Sequence, residues 1–554
     1  MGRAPTRRRR NQFKRAGSAE QRQARERSRT KAILGAVTLY FVFVCAAPVL
    51  AYWAFTRQQN WGEFGRVVAG PIGTVLAAGG AVLAAYLALL NGDRTRAQDR
   101  ETVDRDRRLQ TERDLRARFM SAAEQMGDER FTVRQAGAYT MAAIADDWLA
   151  LAAGDSLQQR EAQVCIDVLC ASLRDPAGDN TTGQREEPRD QPVRQVIIRI
   201  IASHLRGDTE TSWKHLEFDL SGAHLHDVDL SQCHFDGRLS LREASFSGEQ
   251  ATFTGSHFAD TTFNAAVFHP GTTAEFAGST WSTAAQFERT KFGGSVTFDG
   301  ATFLAGVCLL GAWLGTPSEG ASEVSLRSTT FFGTADFSYA KVFCPFVVFD
   351  KATFKGSALF SSLKANHPQH HSSVSFLEAT FEGPADFRDI GIGGQANFRQ
   401  TKFLGDQSTS ASQDDVDFDS DDAVRFDHAQ LWIAEFVSAL FTREVSFYRT
   451  TFQTRAQFRA AVFDTPARFE AATIENGANF RNVDFSCGAT FHRAEFGDDP
   501  VDFSDPVAWN DVRFDWDSPG TRFVTSRLTQ PPNVLPSQWP PAPSDDGADA
   551  AHRN

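Results

Sequence analysis

The stretch that decides the fold is residues 455–497, RAQFRAAVFDTPARFEAATIENGANFRNVDFSCGATFHRAEFG. Its large apolar residues are Phe458, Phe463, Phe469, Ile474, Phe480, Phe485, Phe491 and Phe496, alternately five and six positions apart. Two positions before each stands a small residue or a valine: Ala456, Ala461, Ala467, Ala472, Ala478, Val483, Ala489 and Ala494. A helix would smear this period around its circumference and leave no apolar face. A long strand would need strict alternation, which is missing. Short extended segments satisfy it, with residues i−2 and i on one side and a turn of two or three polar residues after each. Four such segments sum to roughly 22 residues, within the ~20–29 of known solenoid coils. The small residue at i−2 leaves room for the ring at i.

The register spreads in both directions. Ala251/Phe253, Ala266/Phe268, Ala285/Phe287, Ala301/Phe303, Ala335/Phe337, Ala352/Phe354, Ala379/Phe381, Ala396/Phe398 and Ala439/Phe441 repeat it. Near its start the step is a plain five, through Leu220, Ala223/Leu225, Val228/Leu230 and Cys233/Phe235. Here the chain resembles the pentapeptide-repeat family, whose motif is small–polar–Leu/Phe–X–X. The resemblance covers residues 215–514 and implies a right-handed quadrilateral β-helix. The extra residue in alternate units departs from the motif and leaves the turn types open. A single coil cannot bury its own rings, so stability belongs to the stack. At about 22 residues per coil this region holds roughly thirteen coils. Gly, Ser, Pro and Asp mark three insertions near 315–323, 364–373 and 405–415, expected to leave the stack as loops.

Upstream, residues 1–31 form an arginine-rich tail expected to be disordered. Residues 32–55 and 67–90 are two uncharged apolar runs, each long enough to span a bilayer as a helix. Only a short loop joins them, so they are expected to form a transmembrane hairpin. Lys and Arg crowd before the first run, and Arg94, Arg96, Arg100, Arg105, Arg107 and Arg108 follow the second. The excess of positive charge places both termini in the cytoplasm, at the plasma membrane. Residues 91–173 read as a charged helix continuing from the second span, then a small helical module. Residues 174–192 read as a linker and 193–206 as an amphipathic helix capping the first coil. Residues 515–554, rich in Pro and Asp, are expected to be a disordered tail.

The chain has 48 Phe among 554 residues and a net charge of −12, the basic residues gathering at the N-terminus. Its seven cysteines have no CxxC and no pairing rhythm, which points to reduced thiols. No Walker loop, GxGxxG before a helix, HExxH or GxSxG is present. Asp414, Asp415, Asp417, Asp419, Asp421 and Asp422 form an acidic run without the central Gly and final Glu of a calcium loop. His367, His370 and His371 lack a partner cysteine or carboxylate pattern. Neither group reads as a metal site, and no cofactor or catalytic residue is indicated. The functional expectation is a membrane-anchored, non-catalytic scaffold that binds a protein partner, with self-association of the hairpin as a structural variant. Nucleic acid is not the expected ligand. The family resemblance implies one alternative, a DNA mimic that inhibits a topoisomerase. The structural core is assigned to Phe458, Phe463, Phe469, Phe480, Phe485, Phe491 and Phe496.

Overall fold

The computed structural model describes isolated positions between 35 and 56, and residues 70–151, 156–174, 191–207, 210–316, 323–366, 371–405, 420, 422–517 and 529–543. The chain divides into two units, 1–113 and 114–554. In the first, helix α1 begins at Gly70 and ends in the second unit at Met126, with no break between its apolar and charged parts. Arg108 and Glu112 pair at 3.5 Å across one turn of its charged part. The basic tail and most of the expected hairpin, including many side chains of its second half, lie outside the described residues. Among the described residues no helix is long and apolar enough to cross a membrane.

The second unit opens with helices. The end of α1 is followed by α2 (Phe131–Leu151), α3 (Ser156–Arg174) and α4 (Gln191–Arg206). Ala138, Met141, Ile144, Ala145 and Trp148 recur at helical spacing on α2 and are buried. They pack with Cys165, Ile166 and Leu169 of α3 in one core. Gly137 is where α2 presses on α1: a Cβ there would lie 2.8 Å from the backbone nitrogen of Met126. Arg116–Glu161 (2.7 Å) and Arg118–Asp147 (2.8 Å) tie the end of α1 to its neighbours.

Helix α4 carries Pro192 in its first turn, where a missing N–H costs nothing. Its Val193, Val196, Ile197, Ile200, Ile201 and Leu205 are buried, and so is Ile198 on another face. The helix lies between the helical module and the first coil. The linker expected at 174–192 is therefore shorter: Arg174, Gln191 and Pro192 are helical, and the rest lies outside the described residues. The helical module is not an independent domain. It shares one buried core with the stack, because α4 is apolar on more than one face and needs both neighbours to cover it.

From residue 218 to 513 the chain is a β-solenoid of about 12 turns. Strands of mostly two or three residues stack in parallel ladders, each paired to the coil before and after. In the defining stretch Phe463 pairs with Phe441 and Phe485, and Ala467 with Val445 and Ala489. Each inward position thus repeats every 22 residues there (463 to 485). Phe458, Phe463, Phe469, Phe480 and Phe485 are fully buried, Phe491 is 2% and Phe496 7% exposed. Rings in one column stack face to face: Phe436–Phe458–Phe480 at 4.9 and 4.7 Å, and Phe447–Phe469–Phe491 at 4.7 and 4.6 Å. Rings of these two columns meet edge to face across the centre, as Phe458 and Phe469 do at 5.5 Å and 84°. Both geometries suit the aromatic quadrupole, so the column has no hollow axis.

The alternation of five and six has a structural cause. After Phe447, Phe458, Phe469, Phe480 and Phe491 the chain turns tightly, with Arg449, Ala460, Ala471, Asn482 and Arg493 left-handed at φ between 53° and 58°. The N–H of Ala461 donates to the Phe458 carbonyl at 2.9 Å, closing a four-residue turn with positive φ at its third position, the signature of type II. Across the other corners, such as Asp464–Thr465–Pro466, an extra residue widens the bend. The tight turn is not the polar turn expected, since Ala460 and Ala471 occupy it.

All three insertions leave at wide corners, and the strands resume in register after them. Val324 returns to pair with Val296, Val374 with Val347, and Val424 with Ala385. The first two are narrower than expected, since Glu323, Lys364, Ala365 and Ser373 lie in strands, whereas after the third the next strand begins only at Val424. An outward strand position accepts a polar residue, so composition misplaced these ends.

The C-terminal expectation is corrected more sharply. Val534 pairs with Val501 and extends the ladder by one strand. Trp516 and Trp539 pack over Phe514, at 4.6 and 5.0 Å, and Trp539 donates to Asp517 at 2.8 Å. Residues 515–517 and 529–543 are an ordered cap on the last coil, not a disordered tail. The remaining parts of 515–554 lie outside the described residues.

Candidate functional site

With the rings inside, the chemistry available to a partner is the outward surface and the corners. The buried polar groups serve the stack. At five positions where Ser or Thr replaces the small inward residue, its hydroxyl donates to a carbonyl of the preceding coil: Ser256 to Leu230, Thr290 to Phe263, Thr329 to Phe298, Thr401 to Phe376 and Thr450 to Phe426, all at 2.7–2.9 Å. Each of these five thereby satisfies itself without disturbing the ring column, whereas the buried Thr261 hydroxyl finds no partner among the described residues. A second device uses the residue after the ring. The Asp299, Asp350 and Asp427 carboxylates each accept a serine hydroxyl and a backbone N–H of the next coil. These carboxylates clamp successive coils and are not an acid–base pair.

At the N-terminal end, Asp146 of α2 accepts from Nε1 of Trp213 at 2.8 Å and lies 3.1 Å from Nε2 of His204. His204 stacks on Trp213 at 3.8 Å. This cluster joins the helical module to the start of the solenoid. Arg174 of α3 pairs with Asp219 of the first coil. Burial works against charge on Asp219, but the Ser221 hydroxyl and N–H and the Arg174 guanidinium together hold its carboxyl below its ordinary value. Burial pushes the thiols of Cys165, Cys170 and Cys344 up to about 12. All seven cysteines are free.

Of the acidic run, only Asp422 is described; its N–H bonds the Ser420 hydroxyl at 3.0 Å. His367 and His370 lie outside the described residues. His371 sets Nδ1 2.7 Å from the Gly393 carbonyl and stacks its ring on Trp432 at 5.5 Å. Among the described residues no three His, Cys, Asp or Glu side chains are grouped to hold a metal ion.

The outward positions fall into columns as strict as the inward ones. Thr280, Thr302, Thr330, Thr353 and Thr380 stand in one pairing ladder. On another side, Lys291, Trp313, Lys341 and Lys364 stand in register. This second column escaped the sequence reading. Its signal is a lysine or tryptophan immediately before an inward residue, in Lys291–Phe292, Trp313–Leu314, Lys341–Val342 and Lys364–Ala365. The insertion between Trp313 and Lys341 makes the spacing uneven, so the alignment emerges only with the pairing.

Residues 220–267, the coils in which the inward step is mostly a plain five, match the family described as pentapeptide repeats (9 copies). The opening coils are pentapeptide repeats. The match ends near the point where the six-residue units begin to alternate regularly. No curated protein and no solved structure matches the chain. Pentapeptide repeats build a scaffold, and any activity rests on what their outward side chains meet.

Proposed function

We propose that this chain is a membrane-anchored scaffold facing the cytoplasm, which binds a protein partner on its pentapeptide-repeat solenoid and carries out no catalysis. The observation behind this reading is the outward columns: side chains held in vertical register over many coils, on a core of stacked, buried rings. Such a surface presents groups at fixed spacing and loses little entropy on binding. Anchoring is supported by the two apolar runs at 32–55 and 67–90, and by the arginines that flank them. α1 carries the second run directly into the solenoid unit without an intervening turn. Pull-down from detergent-solubilised membranes tests the partner; failure to recover any specific protein under several conditions overturns the reading. Protease added outside intact cells tests the topology: the solenoid should survive, and its digestion overturns the cytoplasmic placement.

The acidic balance of the solenoid, with roughly twice as many carboxylates as cations between 207 and 514, supports a second reading as a DNA mimic. Purified protein that leaves gyrase supercoiling unaffected excludes it. Tethering at the membrane and the lysine column both weigh against it, since a mimic of duplex phosphate needs unbroken negative charge.

A further inference from the structure

Building on the scaffold reading, we infer that the partner docks through an acidic segment on the side of the solenoid centred on Trp313 and the lysines above and below it. Lys291 and Lys341 each hold their ammonium 5.2 Å from the centre of the Trp313 ring. Lys364 follows directly opposite Lys341 on the next strand. All three lysines point outward and are exposed. Like charges directly opposite on neighbouring strands are destabilising. The nearby arginines relieve theirs with carboxylates, as Arg327 does with Glu323 and Arg388 with Asp386, both at 2.6 Å. Among the described residues the three lysines have no carboxylate partner; Lys364 donates only to the Asp389 carbonyl, at 2.6 Å. A local breach of otherwise consistent chemistry is expected where function is served. The cation–π contacts with Trp313 offset part of the repulsion, and an incoming carboxylate would offset the rest.

The flanks of the same coil identify the kind of partner. Tyr339, 63% exposed, stands at the tight corner before Lys341, and Phe346, 56% exposed, opens the strand that follows the wide corner after it. Exposed aromatics beside cations form the anchor chemistry of protein interfaces. The three lysines span three strand steps, about 14 Å at ~4.8 Å each. A duplex offers a continuous run of phosphates and draws on roughly 6–10 such contacts, more than this strip of three lysines can make. An acidic protein segment with apolar side chains between its carboxylates fits the charge, the length and the flanking rings.

The test uses the full chain in detergent and the variant Lys341→Glu/Lys364→Glu, with unchanged circular dichroism as the folding check. The probe is a short fluorescein-labelled peptide alternating glutamate and leucine; a DNA duplex and phosphatidylserine vesicles are run beside it. Expected is salt-sensitive peptide binding that the variant weakens by about tenfold or more, with Lys341→Arg retaining it. Peptide binding absent from the wild type, or equal in the variant, overturns the inference. So does a preference for duplex or vesicles that the same variant abolishes. Pull-down with both proteins separates the two levels: a partner that the variant still captures sinks only the lysine strip, whereas no partner for the wild type sinks the scaffold reading beneath it.

Discussion

Phe458 and Phe480 lie ring on ring, 4.7 Å apart and within 1° of parallel, and both stand edge-on to Phe469, at 5.5 and 5.8 Å. Phe469 therefore sits in a notch between two coils. Its loss leaves a void that neither neighbour can close, because each ring is also held by the coil beyond it. Phe469→Ala is expected to cost about 3–5 kcal/mol in urea unfolding followed by far-UV circular dichroism. A cost below about 1 kcal/mol would show that the column collapses freely, contrary to close packing.

The alanines two positions before the rings make the complementary case. Ala467 is fully buried and pairs with Val445 and Ala489. Valine is tolerated in this column at Val445, but leucine would meet the rings of the same coil. Ala467→Val is expected to change stability little, and Ala467→Leu to lower it by about 1–3 kcal/mol. The reverse order in a thermal melt would contradict the inward placement of this position.

How much of this was legible in the residues depends on dimensionality. The inward columns repeat along the chain, so Phe458 and Phe480 announce each other by their spacing. The outward column of Lys291, Trp313, Lys341 and Lys364 does not, because an insertion at a wide corner falls between Trp313 and Lys341 and breaks the spacing. The acidic run at 414–422 was conspicuous, yet its structure is almost wholly undescribed. The cap was illegible for a different reason. Residues 529–543 carry Pro and polar residues that read as disorder, and only tertiary pairing of Val534 with Val501 and the packing of the partly buried Trp539 on the core give them a place.

That cap leads to a further expectation. Trp539 meets Phe503, Phe514 and Trp509 at 6.1, 5.0 and 5.5 Å, covering rings that have no coil above them. Terminal repeats of a solenoid need such cover. Trp539→Ala is expected to loosen the last coil and to expose it to proteolysis before the rest of the stack. Unchanged proteolysis near residue 500 would show that the cap is dispensable.

Cysteine reactivity reads the interior directly. With their thiols pushed up to about 12 by burial, Cys165, Cys170 and Cys344 hold almost no thiolate at mildly alkaline pH. Cys487 is exposed, but partial burial and the neighbouring Asp464 and Asp484 carboxylates raise its thiol too. Mass-resolved labelling of the folded protein at pH 8 should leave the first three unmodified and label Cys487 slowly; denaturant should release all of them. Fast labelling of Cys344 in the folded protein would contradict its burial.

The tight corners supply the last expectation. Ala460 holds φ at 53° and Ala471 at 54°, a region that costs a residue with a Cβ roughly 1–2 kcal/mol. They stay there because the neighbouring coil fixes them: the N–H of Ala460 donates to the Arg481 carbonyl and that of Ala471 to the His492 carbonyl, at 2.9 and 2.8 Å. Glycine would remove the Cβ penalty, but it loses about 0.5–1 kcal/mol through its freer unfolded chain. Asparagine, which Asn482 already places in the equivalent corner, tolerates this region better than alanine without that loss. Ala460→Asn is therefore expected to raise stability by a few tenths to about 1 kcal/mol, Ala460→Gly to fall between it and the parent, and Ala460→Val to lower stability by more than about 1 kcal/mol. Chemical denaturation of the three variants checks the order. If valine proved neutral, the corner would not hold the left-handed conformation on which the five-residue step depends.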